Sequence, residues 1–303
     1  MSEQNRVLAL GFFDGVHLGH AALMERTKER AAERGAFPSV LTFDLHPDTL
    51  VFGKEVPLIN SPAEREDIIR RCFAIDSVVF IHFDRRMMQM DWREFLGSVV
   101  TELQVCHFVV GHDFCFGYKG QGTAERLREY CAAQGLGCDV IPPVTLDGQI
   151  VSSTHIRQLI QAGEMEEAER WLGRPHSLTD TIRSGFHLGR KLGSPTINME
   201  IARGVVEPRH GVYATMTYLD TGDQCPAVTN VGVRPTFSRD GRVTVETHLL
   251  DHAGDLYGHR ARVEFLHFLR PEQRFSDGAA LAVQIEEDEA QTRRYFQKRS
   301  ELK

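Results

Sequence analysis

The stretch that decides the fold is Leu10-Gly11-Phe12-Phe13-Asp14-Gly15-Val16-His17-Leu18-Gly19-His20, which ends an apolar run and opens a helical segment. Its glycines let the backbone turn tightly and approach a ligand. A turn from strand to helix also presents unpaired N–H groups and the positive end of the helix dipole, which together attract anions. His17 and His20 are three residues apart, so both imidazoles can face one phosphate. As donors they are suited to stabilise charge that develops on a phosphate under attack.

Strands and helices alternate on both sides of this turn in the first half of the chain. Strands are predicted at Val7–Phe13, Ser39–Phe43, Ser77–Phe83, His107–Gly111 and Cys138–Ile141. The helices between them have recognisable ends, namely the capping box Ser61 with Glu64, the N-caps Asp91 and Thr123, and the glycine stops Gly35 and Gly135. Alternation of this kind predicts a mostly parallel, doubly wound sheet in a Rossmann-like α/β domain.

The second half of the chain changes style. Two short helices are predicted between Ser153 and Leu172. Strands follow without intervening helices, at Thr181–Arg183, Gly211–Leu219, Ala227–Val231, Val243–Leu250 and Arg260–Phe268, and a last helix at Gly278–Gln297. Strands at hairpin spacing predict an antiparallel β-barrel with a terminal helix. We place the boundary at residue 175, which gives domains of residues 1–175 and 176–303.

Composition excludes several classes of protein. The 303 residues are 42% hydrophobic and 25% charged, as in ordinary globular proteins, and the net charge of −7 argues against a nucleic-acid binder. The six cysteines fit no zinc pattern, and no Walker A string occurs. There is no signal-peptide pattern and no run of apolar residues that would span a membrane, so a cytoplasmic location is expected.

Three further strings point to the same edge of the predicted sheet, where ligands of open α/β sheets bind. They are Thr42-Phe43-Asp44-Leu45-His46-Pro47, Val110-Gly111-His112-Asp113-Phe114-Cys115-Phe116-Gly117 and Ser152-Ser153-Thr154-His155-Ile156-Arg157. The aromatic residues of the second string are read either as core or as a slot for a flat ring. In the third string, Arg157 is suited to clamp phosphate groups.

Together these strings resemble the bacterial bifunctional riboflavin kinase/FMN adenylyltransferase family, also called bifunctional FAD synthetases. The resemblance implies that the N-terminal domain transfers AMP from ATP to FMN and releases pyrophosphate. It implies catalytic roles for His17 and His20, ATP contacts for Gly11, Phe12, Asp14, Gly15, Gly19, Ser153, Thr154 and Arg157, and a flavin-side pocket at His46, Pro47 and Asp113. Cys115 stands where the family frequently has Arg.

The resemblance continues through the β domain and implies a riboflavin kinase. The matching strings are Gly189-Arg190-Lys191-Leu192-Gly193-Ser194-Pro195-Thr196-Ile197-Asn198, Gly232-Val233-Arg234-Pro235-Thr236-Phe237 and Val245-Glu246-Thr247-His248-Leu249-Leu250-Asp251. By that match, ATP and Mg²⁺ would be held by Gly189, Arg190, Pro195, Thr196 and Asn198, of which Thr196 and Asn198 would contact the metal. The flavin would be held by Arg234, Pro235 and Thr236. Glu246 would take the proton of the ribityl 5′-hydroxyl. The chain departs from the family pattern at Asp180, Leu188 and Ser194.

The residue chemistry agrees with this resemblance. Phosphoryl transfer requires positioning, a metal that neutralises charge and a group that accepts a proton. Mg²⁺ prefers oxygen ligands, and Thr196 and Asn198, two apart on an extended segment, place both side chains on one face.

The expected substrates are ATP, riboflavin and FMN, with FAD as product, and the expected assembly is a monomer or weak homo-oligomer without a nucleic-acid or membrane partner. Three alternatives stay open. The first is an FMN adenylyltransferase whose β domain only binds flavin. The second is a flavin-binding regulator without turnover, and the third is a nucleotidyltransferase for another phosphorylated substrate.

Overall fold

The computed structural model describes residues 5–53, 55–183, 196–233, 243–252 and 256–301. Contacts divide the chain into two compact units, Met1–Ser153 and Thr154–Lys303. The functional boundary placed at residue 175 stays a prediction.

The N-terminal unit is built on a five-stranded sheet in which every pair of neighbours is parallel, in the order β3-β2-β1-β4-β5. The strands are β1 Arg6–Leu10, β2 Phe37–Phe43, β3 Ser77–Ile81, β4 Val105–Gly111 and β5 Gly137–Ile141. The order reverses between β1 and β4, and the crevice at such a switch point is where doubly wound sheets bind ligands. The predicted Rossmann-like sheet is confirmed.

Helices accompany this sheet, and a short hairpin ends the unit. The helices are α1 Leu18–Arg34, α2 Pro47–Phe52, α3 Pro62–Phe73, α4 Arg85–Gln89, α5 Trp92–Leu103 and α6 Ala124–Gln134, and the hairpin is β6 Thr145–Leu146 with β7 Gln149–Ile150. The capping box of α3, the N-caps Asp91 and Thr123, and the left-handed stops Gly35 and Gly135 are confirmed.

Apolar residues cover both faces of the sheet, as a parallel sheet requires. Successive side chains of β1 point to opposite faces, so Leu8 and Leu10 join one core cluster and Val7 and Ala9 the other. Phe116 is buried in the first cluster and Phe114 stacks on it with 5.3 Å between ring centroids. The structure therefore favours the core interpretation of these aromatic residues.

The C-terminal unit contains two helices, an antiparallel sheet in the order β8-β13-β10-β11-β12-β9, and a final helix. Helix α7 spans Ser153–Ala162 and begins at the division between the units. The other elements are α8 Met165–Leu172, β8 His176–Thr181, β9 Thr196–Glu200, β10 Gly211–Leu219, β11 Gln224–Val233, β12 Val243–Leu249, β13 Arg260–Arg270 and α9 Gly278–Glu301. A bridge between Arg183 and Asn198 joins the two edges of the sheet, which gives a partly closed barrel.

Some boundaries differ from the sequence-based ones. Strand β1 ends at Leu10, and it cannot extend to Phe13, which takes the left-handed conformation with φ of 56°. The strand expected at Thr181–Arg183 is β8, which runs from His176 to Thr181 and is followed by the Arg183 bridge. Within the described residues, no helix has the length and apolarity that a bilayer span would need.

Candidate functional site

The turn that follows β1 is held in an unusual backbone conformation. Phe13, Gly15 and Val16 have φ values of 56°, 78° and 43° around a short 3₁₀ turn, Asp14–Val16. Non-glycine residues seldom adopt this region, a β-branched valine least of all, and such strain persists only where the surroundings impose it. The turn is therefore a shaped element rather than a simple connection.

The two histidines of the motif lie against each other. The rings of His17 and His20 stack with 3.7 Å between centroids and 14° between planes, and the Phe13 ring meets His20 edge-on at 5.3 Å. His17 is the N-cap of α1, and its Nδ1 accepts the backbone N–H of His20 at 3.4 Å. Because Nδ1 is the acceptor of this hydrogen bond, the neutral form of the ring carries its proton on Nε2.

Two glycines of the turn are required by their neighbours. A Cβ on Gly15 would lie 2.7 Å from Cδ1 of Ile59, in a residue whose φ of 78° already disfavours side chains. A Cβ on Gly19 would lie 3.1 Å from Cε1 of His17. Gly11, whose N–H donates to the Leu41 carbonyl at 3.2 Å, leaves room for the Phe13 ring. The glycines thus leave room beside the turn for the rings of His17 and Phe13 and for the Ile59 side chain.

Asp14 and Ser153 hold the turn from its two sides. The Asp14 side chain is 2% exposed, and its Oδ1 accepts the backbone N–H of Ile59 at 2.8 Å. The Ser153 hydroxyl donates to the Asp14 carbonyl at 2.9 Å. Asp14 in the turn and Ser153 in the Ser152–Arg157 string therefore both support the conformation of the turn, and their contact with ATP stays a prediction.

A cluster around Phe12 lies at the carboxyl ends of β1 and β2. The His46 ring meets Phe12 edge-on at 4.7 Å, and the guanidinium of Arg65 lies 4.5 Å from the Phe12 ring centre. His46 is the N-cap of α2 and Pro47 is its first residue. Sequence reasoning missed Arg65, although an arginine in the apolar row with Ile68 and Ile69 on α3 was a signal.

An ion pair lies one strand further along the same edge. His82 Nδ1 and Asp44 Oδ2 are 2.7 Å apart, and the Phe83 N–H donates to Asp44 Oδ1 at 3.1 Å. Burial raises the pKa of Asp44, but these hydrogen bonds outweigh it and hold the pKa below its usual value. The hydrogen bond to Asp44 raises the pKa of His82.

The other predicted residues of the first site are placed as follows. Asp113, after β4, is exposed, with its Oδ1 3.9 Å from His112 Nδ1, and Cys115 is exposed as well. Thr154 and Arg157 lie on α7 in the C-terminal unit, where Arg157 Nη1 is 3.5 Å from Thr154 Oγ1. Their part in an ATP site stays a prediction.

In the C-terminal unit, strand register brings the predicted kinase residues together. Glu246 on β12 pairs directly with Asn198 on β9 and with Asn230 on β11. Paired residues project to the same face of a sheet, about 5 Å apart at Cβ, so the three side chains form a row. Thr196 lies on this face too, opposite His248. The expectation that Thr196 and Asn198 share a face is met by the alternating burial along β9.

A second carboxylate lies beside this row. Glu272 Oε1 accepts from Asn230 Nδ2 at 3.4 Å, and a Cβ on Gly232 would lie only 2.0 Å from the same oxygen. Gly232 therefore leaves the space that this carboxylate fills. Sequence reasoning missed Asn230 and Glu272, since only the register of β11 reveals them.

Asp180, where the chain departs from the family pattern, joins β8 to β9. Its carboxylate accepts hydrogen bonds from the backbone N–H of Thr181 at 2.8 Å and of Glu200 at 3.3 Å. Eight residues to which the sequence assigned a role or a departure from the family pattern lie outside the described residues, namely Leu188, Gly189, Arg190, Ser194, Pro195, Arg234, Pro235 and Thr236.

The oxygen donors of Thr196, Asn198 and Glu246 suit a hard cation such as Mg²⁺. Across the described segments, no three His, Cys, Asp or Glu side chains are arranged to hold a metal by themselves.

Comparison with known proteins gives two adjoining family matches. The FAD synthetase model matches residues 1–155, and the riboflavin kinase model matches residues 172–296. A crystal structure described as a macrolide-efflux protein from Streptococcus pneumoniae has a TM-score of 0.83 and 28% identity, and the match covers 97% of this chain and 95% of that one.

Curated relatives cover both halves at once, and each is named a bifunctional riboflavin kinase/FMN adenylyltransferase. The Pseudomonas fluorescens protein is 38% identical over 95% of this chain and 92% of its own length. The Escherichia coli K12 protein is 34% identical over 97% of this chain and 94% of its own length. The Listeria monocytogenes protein is 32% identical over 97% of this chain and 93% of its own length. The chain belongs to the bifunctional riboflavin kinase/FMN adenylyltransferase family.

Proposed function

We propose that this chain catalyses two consecutive reactions, the phosphorylation of riboflavin by ATP to FMN and the adenylylation of FMN by a second ATP to FAD. The observation that supports this best is the stacked pair His17–His20 at the N-terminus of α1, a site that suits a nucleotide phosphate. The kinase step is supported by the row Asn198–Glu246–Asn230, which places a carboxylate between two amides.

In the adenylyl transfer, a phosphate oxygen of FMN attacks the α-phosphorus of ATP, and the bond from that phosphorus to the bridging oxygen of pyrophosphate breaks. Negative charge grows on the α-phosphate oxygens and on the leaving pyrophosphate. The imidazoles of His17 and His20 would stabilise this charge as donors, and the N–H groups that begin α1 would add further donors. Donors fixed by a strained turn need no reorganisation as charge develops, which lowers the barrier.

In the kinase reaction, the ribityl 5′-hydroxyl attacks the γ-phosphorus of ATP, and ADP leaves. Glu246 accepts the hydroxyl proton, and the amides of Asn198 and Asn230 flank it along the row. Thr196 and Asn198 would hold Mg²⁺ with the nucleotide, and the ion would supply neutralisation of the phosphate charge.

The proposal includes the finer expectations from sequence. Thr154 and Arg157 would contact ATP, and His46, Pro47 and Asp113 would line the flavin side of the first site. The chain would work in the cytoplasm, where ATP is made, as a monomer or weak homo-oligomer. The net charge of −7 supports the expectation that it has no nucleic-acid partner.

A chromatographic product assay tests the proposal. Purified chain is incubated with Mg²⁺, ATP and either riboflavin or FMN. We expect FMN and then FAD from riboflavin, and FAD with an equal amount of pyrophosphate from FMN. FAD from FMN without any product from riboflavin would show a β domain that no longer phosphorylates riboflavin. Flavin binding without product in either arm would show a regulator and overturn the proposal.

A further inference from the structure

Arg65 is a charged side chain in a place where charge is costly. It lies in the first turns of α3 and is 0% exposed. Its Nη1 donates to the Phe12 carbonyl at 2.8 Å, to Thr42 Oγ1 at 3.0 Å and to the Phe43 carbonyl at 2.9 Å. Its Nε and Nη2 have no hydrogen-bond partner in the described parts of the chain. A buried guanidinium with such incomplete pairing is costly to stability, so we expect it to have a role other than stabilising the fold.

The acceptors of Arg65 identify what it holds. Phe12 lies in the turn after β1, and Phe43 is the last residue of β2. The Phe12 carbonyl accepts a second hydrogen bond from Thr42 Oγ1 at 2.7 Å. One guanidinium nitrogen thus joins the carboxyl ends of two neighbouring strands at the edge where the stacked histidines lie.

The segment before α3 and the first turns of α3 each hold the turn at one point. Arg65 holds the Phe12 carbonyl on one side of the left-handed residue Phe13, and the Ile59 N–H is held by Asp14 on the other side. The Ile59 side chain also packs where a Cβ on Gly15 would lie. Any shift of Arg65 would therefore move the backbone that carries His17 and His20.

We propose that Arg65 is a positioning residue of the adenylyl-transfer site, which fixes the Phe12 carbonyl and so the turn that presents His17 and His20 to the nucleotide phosphates. This inference rests on the proposed function of that site. Arg65 is too buried to touch a substrate, so it acts through the turn. A displacement of about 1 Å in a positioned group can lower a rate by about 10²-fold.

The alternative is that Arg65 only stabilises the sheet, and Arg6 provides a matched control for it. Arg6 is the first residue of β1, and its Nη1 donates to Ser77 Oγ of β3 at 2.6 Å and to Ser39 Oγ of β2 at 3.4 Å. An arginine that only joins strands would behave like Arg6, although Arg6 is far less buried.

The experiment compares Arg65→Met and Arg6→Met with the wild-type chain. Adenylyl transfer is measured with FMN and ATP supplied, riboflavin phosphorylation is measured in the same preparation, and both are measured well below the melting temperature of each variant. We expect Arg65→Met to lower kcat/KM for adenylyl transfer at least about 10-fold, while its kinase activity and both activities of Arg6→Met stay within about 2-fold.

An Arg65→Lys variant adds a readout that a purely structural role would not move. Burial lowers the pKa of Arg65 to about 10, against the charges of Asp14 and Asp44, so the wild-type residue stays protonated at neutral pH. A lysine there would lose its proton at much lower pH. Adenylyl transfer by Arg65→Lys should fall relative to wild type between pH 6 and pH 9, while its kinase activity keeps the wild-type profile. This arm also replaces Arg65→Met if that variant does not fold.

Three results would overturn the inference. The first is wild-type adenylyl transfer by Arg65→Met. The second is a loss of adenylyl transfer in Arg6→Met as large as that in Arg65→Met. The third is a pH profile of adenylyl transfer by Arg65→Lys that matches wild type. A wild-type chain that forms no FAD from supplied FMN would instead refute the proposed function, so the two failures are distinguishable.

Discussion

At the scale of single residues, the two proposed centres use different chemistry. The first uses donors on a rigid turn, His17 and His20, whose rings stack at 3.7 Å. The second places a carboxylate, Glu246, between two amides. Because the first stabilises charge and the second accepts a proton, a substitution at either centre should remove one activity and leave the other.

Replacing His20 with alanine should abolish FAD formation selectively. Alanine is a good helix former, so α1 should persist, while the imidazole that we propose faces the phosphate is lost. We expect the rate of FMN adenylylation to fall on the order of 10²–10³-fold and the rate of riboflavin phosphorylation to stay near wild type. Steady-state assays of both steps measure this. Equal loss of both activities in a folded protein would contradict it.

Replacing Glu246 with glutamine should give the opposite pattern. Glutamine keeps the shape and polarity of the side chain but cannot accept the hydroxyl proton. Riboflavin phosphorylation should fall by about 10²–10⁴-fold, and supplied FMN should still be adenylylated. A variant that phosphorylates riboflavin at the wild-type rate would show that Glu246 is not the base.

At the scale of elements, the turn after β1 is expected to tolerate no side chain at Gly15. Gly148, in the two-residue turn between β6 and β7, is a matched control, because its φ of 77° is almost that of Gly15 and a Cβ placed there would meet no atom within 4 Å. Alanine at Gly148 should cost about 1 kcal/mol from backbone conformation alone. Alanine at Gly15 adds the clash with Ile59 and should cost roughly 1–3 kcal/mol more.

This difference is measured by denaturant unfolding in a Trp171→Phe background, where Trp92 is the remaining tryptophan and reports on the N-terminal unit. Gly15→Ala should also lose adenylyl transfer, and Gly148→Ala should keep it. Equal destabilisation by the two substitutions would mean that the space beside Ile59 does not constrain the turn.

Elements with strong local patterns could be predicted from the sequence. The five parallel strands are short, mostly apolar segments that alternate with helical segments, and α3 has Ser61, Pro62 and Glu64 at the spacing of a capping box. Helices α2 and α4 have six and five residues, too few for a helical period to appear. The hairpin β6–β7 was missed although Asp147-Gly148 is a typical two-residue turn, with both φ values positive.

The candidate sites were predictable only as far as their motifs are local. His17 and His20 lie three residues apart, and their stacking follows from one helical turn. Arg65 contacts Phe12 across 53 residues of sequence, and Glu272 contacts Asn230 across 42. Such pairs depend on tertiary packing and strand register, which no spacing in the sequence reveals.

At the scale of the whole molecule, stability should depend on pH through His176. This residue of β8 is 0% exposed, and burial, with a contribution from the charge of Arg174, lowers the pKa of His176 to about 3. The unfolded chain has a histidine pKa near 6.5, so it binds the proton more readily between these values. The contribution of neutral His176 is complete above about pH 6.5 and is lost as the pH falls toward 3, at up to about 1.4 kcal/mol per pH unit.

A His176→Leu variant should lack this part of the pH dependence. Unfolding is followed from pH 7 to pH 4.5 in a Trp92→Phe background, so that fluorescence reports Trp171 in the C-terminal unit. The free energy of unfolding should fall more steeply for the parent than for the variant below about pH 6. Parallel curves would show that His176 does not resist protonation.

The central claim is that one chain holds two chemically independent centres, and complementation of two inactive variants tests it most directly. His20→Ala and Glu246→Gln are each supplied with riboflavin, ATP and Mg²⁺, alone and mixed, and FAD is measured by chromatography. We predict FMN alone from His20→Ala, no FAD from Glu246→Gln, and FAD from the mixture, because FMN released by one variant is the substrate of the other. A mixture of folded variants that forms FMN but no FAD, while wild type forms FAD, would contradict the account.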